Sequence, residues 1–408
     1  MNKSYYSILM SQTTTNLGFS LYTMSVILFL HHLTHSTFLT SLVTLVSILA
    51  RMLGSALLPM FLNKMNFKFL LLLSQVAQFI FLTGLFFLFH EDYSLTVIIL
   101  TFAIILLVSF FNGWFSPLKT TIISVIVPPE NRVRANSLLS TVDQTFQFVG
   151  WSFGGLLLAF LGKGTTLMIT LSLIVFSILS LMFIQITHRR PHTLKNESAI
   201  ESLIIGWKYL FKDKKLKVLM MMDLIESWTG MIWIGAISLA FVQEALDKGE
   251  TWWGYINGAY YLGSMVGGFV IYRMSIKLRK KLLLFMLVGA TSFGLLTLVY
   301  GFMSNPFIAI VLVLFMGPSY ILRDLCQETI FQNATDEHTL TKIMAARSTL
   351  VQFIFLLAII GTGAIADTYG VRLVYISAGI LLLISVLYGI SRLLFQYQNH
   401  NFNKKINY

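Results

Sequence analysis

Stretches of about 20 mostly apolar residues, separated by short polar breaks, recur along the whole chain. Twelve stand out, at roughly 5–30, 37–62, 66–89, 94–126, 135–161, 164–187, 216–243, 252–274, 281–303, 305–330, 342–366 and 370–396. About 20 apolar residues are what an α-helix needs to cross the hydrocarbon core of a bilayer. The pattern therefore predicts an all-α integral membrane protein with twelve transmembrane helices. The first stretch holds Gln12 and Asn16, is long for a signal peptide and is followed by no small-residue cleavage site, so it reads as a retained helix. The longest polar stretch, 188–215, contains Arg189, Arg190, Lys195, Lys208, Lys212, Lys214 and Lys215. Within it Ile200, Leu203, Ile204, Trp207, Leu210 and Phe211 recur at helical spacing, the pattern of an amphipathic helix lying on an anionic leaflet.

Composition agrees with the pattern. Of 408 residues 56% are hydrophobic and 11% charged, against roughly 25% charged in soluble domains. The net charge of +12 could point to nucleic acid, but in a membrane protein Lys and Arg collect in cytoplasmic loops. With both termini placed in the cytoplasm, 22 of the 29 Lys and Arg fall on that side, and only Lys163, Lys248 and Arg372 fall in external loops. The expected location is the cell membrane, multi-pass, with no nucleic-acid partner. The single cysteine, Cys326, excludes an intrachain disulfide.

A weak internal repeat divides the chain in two. Gly113-Trp114-Phe115-Ser116-Pro117-Leu118-Lys119 matches Gly317-Pro318-Ser319-Tyr320-Ile321-Leu322-Arg323 at an offset of 204 residues, and Gly150 matches Gly361 at 211. The expected organisation is two pseudo-symmetric six-helix bundles, 1–187 and 216–396, joined by a cytoplasmic basic linker at 188–215 and followed by a cytoplasmic tail at 397–408.

These features resemble the major facilitator superfamily, and within it the drug:proton antiporter branch that holds macrolide efflux proteins and enterobactin exporters. Three segments carry the likeness. They are Val127-Pro128-Pro129-Glu130-Asn131-Arg132 through Ala135-Asn136-Ser137-Leu138-Leu139, Gly150-Trp151-Ser152-Phe153-Gly154-Gly155, and Gly363-Ala364-Ile365-Ala366-Asp367-Thr368-Tyr369-Gly370. The chain departs from the family at the loop after the second span, where Pro59, Asn63, Lys64, Asn66 and Lys68 leave out the usual acidic residue, and at Val108, where the antiporters often carry Arg. The resemblance implies a central cavity lined by helices 1, 4, 7 and 10, and secondary active export by alternating access.

The informative chemistry is the charge inside spans, which costs several kcal/mol unless it faces a cavity or a partner. Four bases (Arg51, Lys119, Arg323, Arg347) face five acids (Asp143, Asp223, Glu226, Asp324, Glu328). Lys119 and Arg323 hold the same repeat position, so with Arg51 they are candidates for holding an anionic substrate. Gln12, Asn16, Asn112, Trp114 and Trp228 complete the candidate substrate-binding set. Asp223 and Glu226 share a helix face, as do Asp324 and Glu328. Paired carboxylates in a poorly solvated site resist double ionisation. Glu226, Asp324 and Asp143 are therefore the candidate proton carriers.

No Walker loop or nucleophile elbow is present in the sequence, and the His31, His32 and His35 cluster at the outer end of the first span reads as a solvated loop in preference to a metal site. That argues against an enzyme, an ATP-driven pump and a cofactor, and leaves an ion gradient as the energy source. The expected partners are a small-molecule substrate, protons and the lipid bilayer, with the chain acting as a monomer. Three buried bases favour an anionic carboxylate siderophore as substrate. A multidrug or macrolide efflux antiporter is the alternative within the same class, and a non-transporting receptor or scaffold is the alternative outside it.

Overall fold

The computed structural model describes residues 2–62, 64–89, 91, 94–185, 198–233 and 236–406. Among them every regular element is helical. In chain order the α-helices are α1 (Lys3–Thr34), α2 (Thr37–Leu57), α3 (Pro59–Leu62), α4 (Phe67–Leu88), α5 (Leu95–Asn112), α6 (Phe115–Ile126), α7 (Arg132–Met182), α8 (Ala199–Lys212), α9 (Lys214–Gly230), α10 (Ala236–Ala240), α11 (Glu250–Leu278), α12 (Leu282–Gly301), α13 (Pro306–Gln332), α14 (Glu337–Tyr369) and α15 (Val371–Ile406). Nine helical stretches of the described residues are long and apolar enough to span a membrane, or ten if the bent pair Lys214–Trp233 and Ile237–Ala245 forms one span. The expected spans at 135–161 and 252–274 are helical too, but they are more polar than these.

The breaks have identifiable causes. Gly162, at φ 76°, separates the two expected spans that α7 contains, a conformation that costs glycine little. Pro59 begins α3 just past the end of α2, consistent with its missing N–H. The stretch expected as one helix at 216–243 is instead interrupted after Trp233. The buried Tyr375 hydroxyl donates to the Ile232 carbonyl at 2.6 Å, satisfying one of the backbone acceptors that the interruption releases. The last helix runs past residue 396 to Ile406, with no proline or glycine after Gly389 to stop it. Of the basic linker, the amphipathic segment is helix α8, while Arg189, Arg190 and Lys195 lie outside the described residues.

The chain forms two compact units. Unit 1 is Met1–Ala135, Val142–Trp207 and Gln332–Gln352; unit 2 is Asn136–Thr141, Lys208–Phe331 and Phe353–Tyr408. Among its close helix crossings, each unit has one of the same design. In unit 1, α2 lies against the α5–α6 junction: a side chain at Gly54 would strike the Phe110 carbonyl, and one at Gly113 the Arg51 carbonyl. The Ser55 hydroxyl donates to the Gly113 carbonyl at 2.8 Å across the same crossing. In unit 2, α11 crosses α13 in the same way, with Gly263 against the Leu314 carbonyl and Gly317 against Tyr260 and Ser264. Leu53-Gly54-Ser55 and Leu262-Gly263-Ser264 are one tripeptide repeated at an offset of 209 residues. Small residues let backbones approach where lipid offers no hydrophobic drive for helix association.

The segment Gln332–Gln352 is fastened within unit 1 by polar contacts. Arg132 Nη1 donates to the Gln332 carbonyl at 2.7 Å and to Asn333 Oδ1 at 2.6 Å. Thr121 and Thr341 share a hydroxyl hydrogen bond of 2.8 Å, and Ser55 and Ser348 one of 3.1 Å.

Candidate functional site

The polar centre of unit 2 is built on α9, α12 and α13. On α9, Asp223 and Glu226 stand one turn apart, and α13 brings Arg323 between them. Arg323 Nη2 lies 2.7 Å from Asp223 Oδ1 and 2.6 Å from Glu226 Oε2, and Nη1 lies 3.9 Å from Asp324 Oδ1. Arg323 and Asp223 are each 4% exposed, while the Asp324 side chain is 39% exposed. The approach of α12 depends on Gly289, whose missing side chain leaves room for the Arg323 amide nitrogen, 2.7 Å from where a Cβ would stand. One turn beyond Arg323, Gln327 Nε2 donates to the Leu219 carbonyl at 3.4 Å and ties α13 to α9. A narrow cleft at the cluster, too tight to hold a water, is lined by Glu226, Ala290, Phe293, Tyr320, Arg323 and Leu382.

The polar centre of unit 1 is different. Asp143 on α7 accepts hydrogen bonds from Asn16 Nδ2 at 2.9 Å and from Gln12 Nε2, both on α1. Lys119 on α6 is half-buried, and its charge acts on Asp143. Among the described residues Lys119 makes no hydrogen bond or ion pair of its own. Further along α1, the Arg51 guanidinium sits over the Phe19 ring at 5.8 Å. Arg51 likewise has no hydrogen bond or ion pair among the described residues, and its Nε is buried without a partner.

The site residues expected from sequence thus separate into groups. The structure brings Gln12, Asn16, Asp143 and Lys119 together, and brings Arg323 together with Glu226 and, more distantly, Asp324. Trp114 is elsewhere: it is 2% exposed and packs on Phe61 at 5.1 Å and Phe111 at 5.2 Å, so it is core. Asn112 is the last residue of α5, half-buried at the glycine crossing. Trp228 lies over Gly361 of α14, where a Cβ would stand 2.8 Å from its ring. Three residues were missed from sequence. Tyr320 and Phe293 line the cleft, and Tyr22 lies within electrostatic reach of Arg51 with its hydroxyl buried and unpartnered. Tyr320 had a signal, since it stands one helical turn before Arg323; Tyr22 and Phe293 are aromatic residues in aromatic-rich helices and had none.

An all-α membrane fold with ionisable groups gathered inside its spans defines a polytopic membrane transporter. The family model of the Major Facilitator Superfamily matches residues 8–321, and the chain belongs to that family. It is 57% identical over 409 residues to the uncharacterized MFS-type transporter YfmI of Bacillus subtilis (strain 168), covering 100% of this chain and 99% of the relative. It is 22% identical over 253 residues to the multidrug efflux pump Tap of Mycolicibacterium fortuitum, covering 61% of each. Among solved structures, a bacterial homologue of the iron transporter ferroportin in an outward-facing state superposes with a TM-score of 0.76 at 12% identity, covering 96% of this chain and 99% of that one. The chain is thus a membrane transporter and not an enzyme.

Proposed function

We propose that this transporter is a proton-coupled exporter of small amphiphilic organic molecules, working by alternating access in the cell membrane with both termini in the cytoplasm. The observation that carries the reading is the Arg323 cluster. One guanidinium faces Asp223 and Glu226 in a buried site, with Asp324 at its edge. Asp223 and Glu226 share that one guanidinium, and carboxylates held together in a poorly solvated site resist double ionisation, so the pair calls for a proton or a cation. A group that must gain a counter-charge in one conformation and can release it in another meets the physical requirement for coupling. Arg323 is therefore assigned to coupling, together with Glu226 and Asp324, and not to the cargo.

Cargo is assigned to unit 1. Arg51 makes no ion pair among the described residues, and Lys119 acts on Asp143 without a direct ion pair, which favours an anionic cargo such as a carboxylate siderophore. The likeness to Tap favours the second reading, a multidrug exporter. Purified protein in sealed proteoliposomes, with a pH gradient imposed and lumenal pH followed by a trapped dye, tests both. The expected result is proton flux on adding a carboxylate siderophore, lost in Glu226→Gln. Flux with cationic or neutral drugs alone would return the protein to the multidrug reading. Cargo flux that ignores the gradient would overturn coupling.

A further inference from the structure

Arg51 presents a problem of charge accounting. A base in the middle of a membrane span ordinarily finds an acid or a chain of acceptors, and guanidinium has only donors to offer. Its neighbours here are aromatic. The Phe19 ring lies 5.8 Å below the guanidinium, and Tyr22 packs edge-on against Phe19 at 5.4 Å. The Arg51 backbone is fixed, because its carbonyl is the surface on which Gly113 rests. Tyr22 is 1% exposed, within electrostatic reach of Arg51, and its hydroxyl has no partner. Arg51 Nε is equally orphaned. Buried polar atoms are nearly always satisfied. Two orphans that flank the Phe19 ring within electrostatic reach of each other, one donor-only and one able to donate, mark a place where an acceptor is missing.

We infer that Arg51 and Tyr22 form a subsite for the carboxylate of an aromatic or amphiphilic anion, with the Phe19 ring as its apolar wall. A carboxylate there takes an N–H from Arg51 and the O–H from Tyr22, and gives a membrane-embedded charge its counter-charge. The inference rests on the proposed export of amphiphilic molecules, but it names the anionic head group and two residues that hold it.

The test is binding to the purified full chain in detergent, with no gradient, so that proton coupling plays no part. The probes are salicylate, its neutral near-isostere salicylamide, and tetraphenylphosphonium as a cation. Salicylate is expected to bind, salicylamide to bind about tenfold or more weakly, and the cation to gain nothing from Arg51. Charge-assisted hydrogen bonds of this kind set affinity by about tenfold to a hundredfold. Arg51→Lys keeps the charge but loses the planar fork and is expected to weaken salicylate by about tenfold. Tyr22→Phe removes one oxygen and is expected to weaken it severalfold, with an unchanged elution profile showing intact folding. Equal binding of acid and amide, or no salicylate binding at all, overturns the subsite, as does full affinity in both variants, which would leave the orphans to an ordered water. Selective binding without proton-dependent flux would keep the subsite and refute the export mechanism.

Discussion

The two units share a backbone device and differ in what they place around it. Each has one crossing where a Leu-Gly-Ser tripeptide meets a glycine of another helix, Gly54 with Gly113 and Gly263 with Gly317. Around the first crossing the ionisable groups are Arg51 and Lys119, neither in a direct ion pair among the described residues, and Asp143, a carboxylate held by amides. Beyond the second, the base is enclosed by acids at 2.6 and 2.7 Å. The frame is repeated and the chemistry is divided. A duplicated frame supplies symmetrical helix packing, while the charges around it are free to differ, and the proposed function gives cargo to one unit and the coupling ion to the other.

The strongest way to break this comparison is to attack the shared frame. Gly54→Val and Gly263→Val each drive a branched side chain into a backbone carbonyl that cannot move away as a side chain end can. Both are expected to cost more than about 3 kcal/mol and to leave little monodisperse protein on size-exclusion chromatography. A well-folded Gly263→Val with a collapsed Gly54→Val would show that the two crossings are not equivalent.

The next effect separates the units. Arg323→Ala takes the guanidinium away from both buried Asp223 and Glu226, and breaking such a pair costs about 3–5 kcal/mol. The triple variant Arg323→Met, Asp223→Asn, Glu226→Gln removes the charges together and is expected to recover most of that loss while abolishing proton coupling. Melting of the purified variants, read beside flux in liposomes, checks both halves of the claim. Lys119→Ala removes a charge that acts on Asp143 but breaks no direct ion pair, so it is expected to shift melting by less than about 1 kcal/mol while reducing flux of anionic cargo. A large loss of stability there would make Lys119 structural.

The apolar stretches made the helices legible, because span length is set by the bilayer and not by neighbours. The break at Gly162 was legible in the same way, where Gly162, Lys163 and Gly164 interrupt an apolar run. The interruption after Trp233 was less so, because Gly230 and Gly235 stand apart in an otherwise apolar Met231-Ile232-Trp233-Ile234 run. Which residues carry buried charge was also plain. Which charge meets which was not, because it depends on the rotation of helices about their axes. Arg323 meets acids about a hundred residues upstream, and Asp143 meets amides 127 and 131 residues away. The sequence equally allowed Arg51 an acid on a neighbouring helix, and the fold gives it Phe19 and Tyr22 instead. The repeated Leu-Gly-Ser was visible but too short to stand out until the crossings showed what it does.

A smaller effect tests the amide cradle of unit 1. Asp143→Asn keeps the size of the side chain and removes its charge, so the hydrogen bonds from Gln12 and Asn16 compete for one oxygen in place of two. The expected loss is about 1–2 kcal/mol, below that of Arg323→Ala. Equal losses would mean that the two polar centres do the same structural work.

The smallest effect comes from glycines outside the crossings. Gly155 on α7 has no atom within 4 Å of where a Cβ would stand, whereas Gly54 has a carbonyl in that place. If backbone approach, and not helix flexibility, is what the frame needs, Gly155→Ala should be harmless. Alanine restricts the unfolded chain and favours the helix by about 0.5–1 kcal/mol, so a small rise in melting temperature, at most about 2 °C in a chain of this length, is expected with flux unchanged. A loss of flux at unchanged stability would show that α7 must bend at Gly155 during the transport cycle, and glycine would then serve this fold for hinging as well as for close packing.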